Sequence, residues 1–587
     1  GLTTTQMGKL TTSQVQALTA DQFKTLTAAQ LNAMTTTQVA AIETADIAAI
    51  SASAAGDLST QFVAALTSTQ VQALDKTQLG GMTSKQIQAI ETADLATMST
   101  AQMAQLRADQ VGQLTTSQLN NLSSNQLQSL AGKQLTSLTT AQMNSLSTGN
   151  LALLNSSQVS ALSANQLNAL GTSQVAALTS TALSSINDGA FGKLSTTVLQ
   201  ALTTGQMQHL TDKQIKSLSS DQLNNLESAD LQKLSTAQVA ALSATQVSKL
   251  STDQLNALTT TQFSSLSAIQ VGGLTSAQIS NLSTDHVKAL TSGQAATLTA
   301  TQLNGLTSTQ MAALDTADVA SLNASAVGKL STANVAALSS DQVKAFSVSQ
   351  LQTLGSAQMQ ALGDDVAALS TSQLANLRAT QVSAMTTAQL NSLSTDFVSA
   401  MSTDQVNALT TTQMGALTVA EVQTLSTSQV KALGVNQVNA LSNANVAALK
   451  TAQVAALTTT QVDGLSTAAV TALTTSQVKA LTTDQVQAIT AANVTALSSA
   501  QVAAMGTDQV KALTTAQVVA LESADFGALS TSQVQAMSTA QVNVLATEDV
   551  AALSASQVGA LSTAQVQALT TGNVAILSTA QVQAMST

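Results

Sequence analysis

The sequence predicts an all-α fold, an α-solenoid of very short helices with one helix for each eight-residue repeat. From residue 3 the chain divides into 45 octads over 3–362, one seven-residue block over 363–369 and 27 octads over 370–585. Position 8 is Leu, Ile, Met or Phe in every octad, and position 5 is equally apolar except at Ala55 and Ala295. Position 1 is usually Ser or Thr, and position 4 is usually Gln.

The octad carries a complete helix-start signal. In "LSTAQVQAL", which is 561–569, the Ser562 hydroxyl can accept from the N–H of Gln565, whose side chain can return to the N–H of Ser562. Leu561 and Val566 flank this capping box as a hydrophobic staple. Many substitutions keep the same chemistry, because Asp often fills the Gln position and Asn the cap position. Each octad therefore predicts a new helix.

Two other architectures remain as alternatives. In one long continuous helix the apolar stripe would drift by about 80° per octad, so no constant face would form. A β-solenoid would favour alternation of period two, whereas the apolar positions here lie three apart. A single octad cannot stabilise itself, because isolated helices this short are marginal. Stacked neighbours must supply the missing burial, as they do in repeat arrays.

Composition excludes several classes of function. The net charge is −11, and the 19 basic residues are scattered, which argues against nucleic-acid binding. There is no cysteine, and no apolar run is long enough to span a membrane. The two histidines have no local partner at metal spacing, and no hydroxyl lies beside an activating base. The sequence predicts no enzyme and no cofactor.

Two irregular segments are candidate sites within one uninterrupted array. Residues 179–202 lose the Gln in three successive octads and contain a turn-favouring tripeptide. The block 363–369 lacks one residue, so it is the preferred place for a hinge or a change of superhelical phase. The candidate residues are Asn187, Asp188 and Gly189 in the first segment and Gly363, Asp364 and Asp365 in the second.

Phenylalanine replaces the position-4 Gln at Phe62 and Phe397. These rings are candidate exposed contacts for another molecule, with local repacking as the alternative interpretation. Carboxylates also recur in pairs at positions 1 and 4, as in Glu43 and Asp46, where the helix dipole favours them. Calcium shared between such pairs on neighbouring filaments stays open, although no EF-hand or glycine-rich loop supports it.

The tandem Leu-Ser/Thr-x-x-Gln-Val-x-Ala unit resembles that of very large repetitive bacterial exoproteins, which often carry haemagglutinin, adhesin or haem-utilisation labels. The resemblance covers the whole chain and implies a secreted or surface-attached, non-enzymatic polymer. We therefore expect a segment of a longer protein that forms an extracellular fibre, sheath or adhesin stalk by head-to-tail or lateral self-association. The alternative is a binding module that presents its Thr and Ser hydroxyls to ice, polysaccharide or glycans. An intracellular scaffold fits less well.

Overall fold

The computed structural model describes residues 1–585, and within them it contains 73 short helices and no strand. Seventy-two are α-helices of four to six residues, and each begins at position 2 of its octad, from Thr4–Met7 to Thr579–Ala584. The seven-residue block forms the remaining one, a 3₁₀-helix over Gly363–Ala368. The prediction of an α-solenoid with one helix per repeat is confirmed.

The octad 474–481 shows why the helices form where they do. Thr474 is extended, its Oγ1 accepts from the N–H of Gln477 at 3.2 Å, and its own N–H donates to Gln477 Oε1 at 2.7 Å. The helix Thr475–Ala480 follows and ends at Leu481, which is again extended, with φ −60° and ψ 140°. The next cap residue then starts a new helix. The capping box thus sets both the start of each helix and the octad period.

Helices pack on one another at a separation of three octads. Thr475–Ala480 contacts Thr451–Ala455 on one side and Ser499–Ala503 on the other. Gln477 reaches further back, to the octad four places earlier, where its Nε2 donates to the carbonyls of Val446 at 2.8 Å and Leu449 at 2.7 Å. One turn of the superhelix, here called a coil, therefore contains between three and four octads.

The core lies along the inside of these coils. The side chains at positions 5 and 8 are buried in nearly every octad, and so is the Gln at position 4. Val478 is fully buried, and Gln477 is only 2% exposed. Positions 1 to 3 carry most of the exposed Ser and Thr. Each octad therefore contributes two apolar residues and one hydrogen-bonded amide to the interior.

The chain folds as two compact units, Gly1–Thr297 and a second that begins at Leu298. The same link occurs in both. In the first unit Gln166 Nε2 donates to the carbonyls of Leu135 at 2.8 Å and Leu138 at 2.9 Å, which matches Gln477 in the second. No helix of the described part is long and apolar enough to cross a membrane.

The shortened block changes the sequence spacing of the glutamine links that cross it. It also changes one acceptor, because Gln389 Nε2 donates to the carbonyls of Met359 and Gly363, where the regular pattern would use Leu362. Beyond it, Gln381 Nε2 donates to Leu351 and Leu354, which are 30 and 27 residues away instead of 31 and 28. These two residues still occupy positions 5 and 8 of the octad four blocks earlier. By Gln405 the separations are 31 and 28 again. The 3₁₀-helix absorbs the missing residue within one coil.

Candidate functional surface

Phe62 and Phe397 lie in the core. Phe62 is 3% exposed and Phe397 is fully buried, so neither can be an exposed contact for another molecule. The interpretation as contact residues is therefore wrong, and the alternative of local packing describes both rings. Both occupy position 4, whose side chain is buried in most octads, so an aromatic ring there buries its apolar area where an amide usually lies.

The tripeptide Asn187–Gly189 forms an exposed helix start. Asn187 is the cap residue of the helix Asp188–Phe191, and its Oδ1 accepts from the N–H of Gly189 at 2.9 Å. Asn187 and Gly189 are exposed, and Asp188 is half-buried. The tripeptide replaces the usual capping box. It lies at the surface in the same place as the first residues of other octads, so its location is not special.

The candidates of the seven-residue block have separate roles. Gly363 has φ +54°, the left-handed region that glycine adopts without a Cβ penalty, and it redirects the chain from Leu362 into the 3₁₀-helix. Asp364 is exposed. Asp365 accepts a hydrogen bond from the Ser340 hydroxyl, which ties the block to the octad three places earlier. These contacts explain the local geometry, and they bring no catalytic group together.

The position-4 carboxylates are buried in the helix starts. Asp94 accepts from the Ser68 hydroxyl at 2.5 Å, and Asp525 accepts from the Ser499 hydroxyl at 2.8 Å. Asp46 has Ala20 where those octads have serine, and its Oδ2 is buried with no hydrogen-bond partner in the described residues. Burial raises the pKa of Asp46, and the nearby Glu43 carboxylate raises it further. Nowhere in residues 1–585 do three or more His, Cys, Asp or Glu side chains gather as metal ligands.

His286 substitutes for a position-4 glutamine. Its Nε2 lies 2.9 Å from the Leu258 carbonyl oxygen, a position-8 carbonyl that the usual amide also reaches, and its Nδ1 lies 2.6 Å from Ser283 Oγ. The Ser283 N–H, which the usual amide would accept, donates instead to Asn256 Oδ1 at 2.9 Å. The ring packs edge-on against Phe263 with the centroids 5.0 Å apart. His209 is exposed at position 7. The two histidines therefore have a structural and a surface location.

A second amide link, which the octad pattern did not predict, is made by asparagine at position 6. Asn439 Nδ2 donates to the Gly464 carbonyl at 2.8 Å, and its Oδ1 accepts from the N–H of Ser466 at 2.7 Å. The octad of Ser466 has Ala469 where Gln would otherwise accept that N–H. We call this arrangement the asparagine clamp. It is made by Asn32, Asn120, Asn168, Asn224, Asn256, Asn304 and Asn439.

The clamp compensates for a missing glutamine. In six of these seven cases position 4 of the capped octad is not Gln, the exception being Gln254. There the Asn224 amide takes the Ser251 N–H, and Gln254 Oε1 is left buried without a partner in the described chain. The clamp could have been detected in the sequence as an asparagine at position 6 that lies 27 residues before a position-1 serine, where the octad of that serine lacks Gln at position 4.

Open grooves recur at one register of the repeat. Three of them, with volumes of about 780, 540 and 570 Å³, lie at the junctions 64–68, 503–507 and 184–188, where positions 6 to 8 of one octad meet positions 1 and 2 of the next. Hydroxyls are the most frequent polar groups in the first two grooves, and Glu91 and Asp94 add carboxylates to the first. The third combines three hydroxyls with Asp212 and Lys213. Asn187 and Asp188 line the third. We call these depressions the coil grooves.

Together the coils, the amide links and the grooves define a tandem-repeat α-solenoid. The ALTTAQ repeat model matches the chain twelve times and covers more than half of it, so the chain belongs to the ALTTAQ repeat family. The matches are residues 39–76, 87–124, 145–180, 223–260, 311–348, 363–395, 390–419, 438–467, 461–491, 486–522, 518–555 and 555–587.

Other comparisons add little. A search of curated proteins finds no match. Among solved structures, a homology model of the full-length AP-3 complex in an intermediate open conformation is similar over 82% of this chain and 80% of the matched chain. The identity is 10% and the TM-score is 0.13.

Proposed function

We propose that this chain is a non-enzymatic structural protein that forms an extracellular bacterial fibre, sheath or adhesin stalk. The observation that supports this most directly is the glutamine link, which ties each coil to the previous one in both units. The link uses one side chain for three bonds: one caps its own helix, and two hold the neighbouring coil. A chain built this way can be lengthened by adding octads, with stability that accumulates from nearest-neighbour contacts.

The distribution of side chains also supports a structural role. Small hydroxyl residues occupy the outer positions of most octads, and charged residues make up 8% of the chain. The functional groups of the surface are thus repeated along the array and are not concentrated in one place. The resemblance of the octad to those of large repetitive bacterial exoproteins favours a secreted or surface-attached location.

Immunogold labelling of the bacterium that makes the protein tests the location. Antibodies raised against residues 1–587 should label intact cells or the fibres around them. A control antibody against a cytoplasmic protein should label only permeabilised cells. Labelling of the repeat protein that also requires permeabilisation would overturn the extracellular assignment.

Electron microscopy tests the structural role. A variant that lacks residues 418–513 removes twelve octads and leaves the register of the remaining octads unchanged. Particles should shorten by about one sixth, which is the removed fraction of the chain, because length accumulates repeat by repeat. A variant with unchanged particle length would contradict the role of the octads as length-setting units.

A second candidate function is binding of a linear polysaccharide along the coil grooves. Their recurrence at one register favours a ligand that is itself periodic, and their hydroxyl and amide lining suits the hydrogen bonds of sugars. Co-sedimentation with insoluble cellulose and chitin tests whether the surface Thr and Ser hydroxyls bind polysaccharide. Thermal hysteresis tests whether they bind ice. Binding that weakens in the variant lacking 418–513 would support this function. An absence of both activities would refute it.

A further inference from the structure

The octad 91–98 lacks the amide link that its neighbours make. In the next octad, Gln102 Nε2 donates to the Leu74 carbonyl at 2.9 Å. Position 4 of the octad 91–98 is Asp94 instead, and an ionised carboxylate has no hydrogen to donate. The equivalent acceptor is the Leu66 carbonyl, which receives no hydrogen bond in the described chain. One acceptor at this junction between coils is therefore left without a donor.

The Asp94 carboxylate does not cap its own helix either. An acid at position 4 is able to cap, because Asp549 Oδ2 accepts from the N–H of Ala546 at 2.9 Å. Asp94 makes no such bond to the N–H of Glu91, and within the described residues its carboxylate accepts only from the Ser68 hydroxyl, through Oδ1. Asp94 is 9% exposed. A carboxylate this buried, with one oxygen unused, is costly unless a positive group pairs with it.

A groove opens onto this carboxylate. It is the coil groove of about 780 Å³, and its lining includes Leu66, Glu91 and Asp94. The residues that line it, all within the described range 36–94, include no Lys, Arg or His. Two carboxylates thus face one open space without a basic side chain to balance them. They repel each other there unless a positive ligand lies between them.

The acid pair recurs in the same unit. Glu43 with Asp46 and Glu227 with Asp230 occupy the same positions 1 and 4, and neither aspartate caps its helix. Asp46 is 4% and Asp230 is 3% exposed. Burial raises the pKa of Asp230, and the Glu227 carboxylate raises it further, so the two acids lie close together. Five of the six octads that begin with an acid also have Asp at position 4, a combination that capping alone does not favour because like charges repel.

We propose that the Glu91 and Asp94 carboxylates, together with the Leu66 carbonyl, bind a calcium ion that replaces the missing glutamine amide and joins the two coils. Calcium takes about six to eight oxygen ligands in flexible geometry, and it accepts carboxylates, backbone carbonyls and water. Two carboxylates and a carbonyl therefore suffice when water in the groove completes the shell, without a third acidic or histidine ligand. The octads of Asp46 and Asp230 form the same site.

Calcium fits this site better than magnesium does. Magnesium demands near-ideal octahedral geometry and loses its water reluctantly, whereas an open groove with ligands from two coils offers irregular spacing. With only two carboxylates the dissociation constant should lie at about 0.1–1 mM, the range of extracellular calcium modules. The other way to fill the gap is a proton on Asp94, which would donate to the Leu66 carbonyl, and the experiment distinguishes the two.

Hydrogen exchange of the full chain at neutral pH tests the proposal. A ligand that binds only the joined coils slows exchange by a factor of one plus its concentration divided by its dissociation constant. With about 5 mM CaCl₂ and a dissociation constant of about 0.5 mM, the octads 59–66 and 91–98 should exchange about tenfold more slowly. MgCl₂ at the same concentration, and NaCl at the same ionic strength, should change exchange much less.

A paired substitution removes the site and keeps the fold. Asp94→Asn with Glu91→Gln removes both carboxylates, and asparagine is native at position 4 elsewhere, where Asn493 Nδ2 donates to the Leu465 carbonyl at 2.7 Å. This variant should lose the response to calcium at 91–98 and retain it in the octad of Asp230.

Asp549→Asn is the matched control. Asp549 is also a position-4 acid, but its octad begins with Ala546 and its two oxygens already accept from the Ala546 N–H and the Ser523 hydroxyl. The control should leave the response to calcium at 91–98 unchanged.

Several results would overturn the proposal. Exchange at 91–98 that ignores calcium refutes it, and so does a response that persists in the paired variant or that NaCl reproduces. An equal response to magnesium would overturn the assignment of calcium. Slower exchange on acidification, without a calcium response at neutral pH, would show that a proton fills the gap. The particle-length measurement does not depend on calcium, so the structural function is tested separately.

Discussion

The glutamine link predicts a large, local loss of stability when one interior glutamine is replaced. We choose Gln477→Met, which keeps an unbranched side chain of similar length in the core and removes every polar atom. The substitution loses the cap of the Thr474 N–H and leaves the buried carbonyls of Val446 and Leu449 without their donor. At about 1 kcal/mol for each of the three bonds, the helix Thr475–Ala480 should lose roughly 3 kcal/mol.

Hydrogen exchange measured by mass spectrometry is the suitable assay, because a long repeat array does not unfold in one cooperative step. The amides of Val478 and Leu481 should exchange about a hundredfold faster, since each tenfold corresponds to 1.4 kcal/mol. Gln477→Glu keeps the cap and replaces the two donors by a carboxylate oxygen. Its exchange should be faster than that of the methionine variant at neutral pH, since it also buries a charge beside the carbonyls.

Gln487→Met is the matched control, because Gln487 is exposed at position 6 of the next octad and its side chain makes none of these bonds. Its effect should stay within about 0.5 kcal/mol, as for most surface substitutions. Equal protection of Val478 in the Gln477 and Gln487 variants would refute the reasoning. The amide would then be a cap only, and the contact between coils would depend on apolar packing alone.

Three further predictions follow from other features. Asn439→Ala should lower the local stability at the Ser466 helix start by roughly 1–2 kcal/mol in exchange measurements, because both clamp bonds are lost. Asn407→Ala, at the same octad position but without a clamp, should leave exchange unchanged. Adding Ala469→Gln to Asn439→Ala should restore the protection, and a failure to restore it would contradict the idea that the clamp compensates for a missing glutamine. Because the pKa of Asp46 is raised in the folded state, the fold holds this proton more tightly than the unfolded chain does. Its octad should therefore gain protection as the pH falls from neutral toward the ordinary aspartate range; Asp46→Asn should abolish the change, and a variant that still shows it would exclude Asp46 as its source. Gly363→Ala should lower the local stability of the block 363–369 by about 1–2 kcal/mol, because φ is +54°. No atom lies within 4 Å of the added Cβ, so the cost would come from the backbone conformation and not from a steric clash. Unchanged exchange at this block would show that the positive φ is not required.

Helix starts and apolar positions could be predicted because their causes are local. The cap, the Gln three residues later and the staple act within one octad, so the sequence alone predicts where Thr475–Ala480 begins. The prediction that Phe62 is exposed was wrong for a related reason. A glutamine that only caps its helix could lie at the surface, so position 4 was expected to be exposed. The structure turns the amide inward, and an aromatic ring at that position enters the core.

The links between coils could not be predicted in the same way. Gln477 meets Val446 and Leu449 only because a coil contains between three and four octads, and that number depends on packing around the whole turn. The asparagine clamp depends on the same geometry, with separations of 25 and 27 residues that no local pattern reveals. The coil grooves likewise arise only after successive coils are stacked.

The asparagine clamp has a consequence for how such a gene can change. Duplication or loss of whole octads that carry glutamine preserves the spacing of the glutamine links, since each such octad brings its own amide. A clamp joins two residues 27 positions apart, so recombination between Asn439 and Ser466 would separate an octad that lacks glutamine from the asparagine that replaces it. Unequal crossing-over should therefore be tolerated in most of the array and selected against inside these short intervals. The clamps are the places where an otherwise interchangeable series of repeats acquires a fixed order.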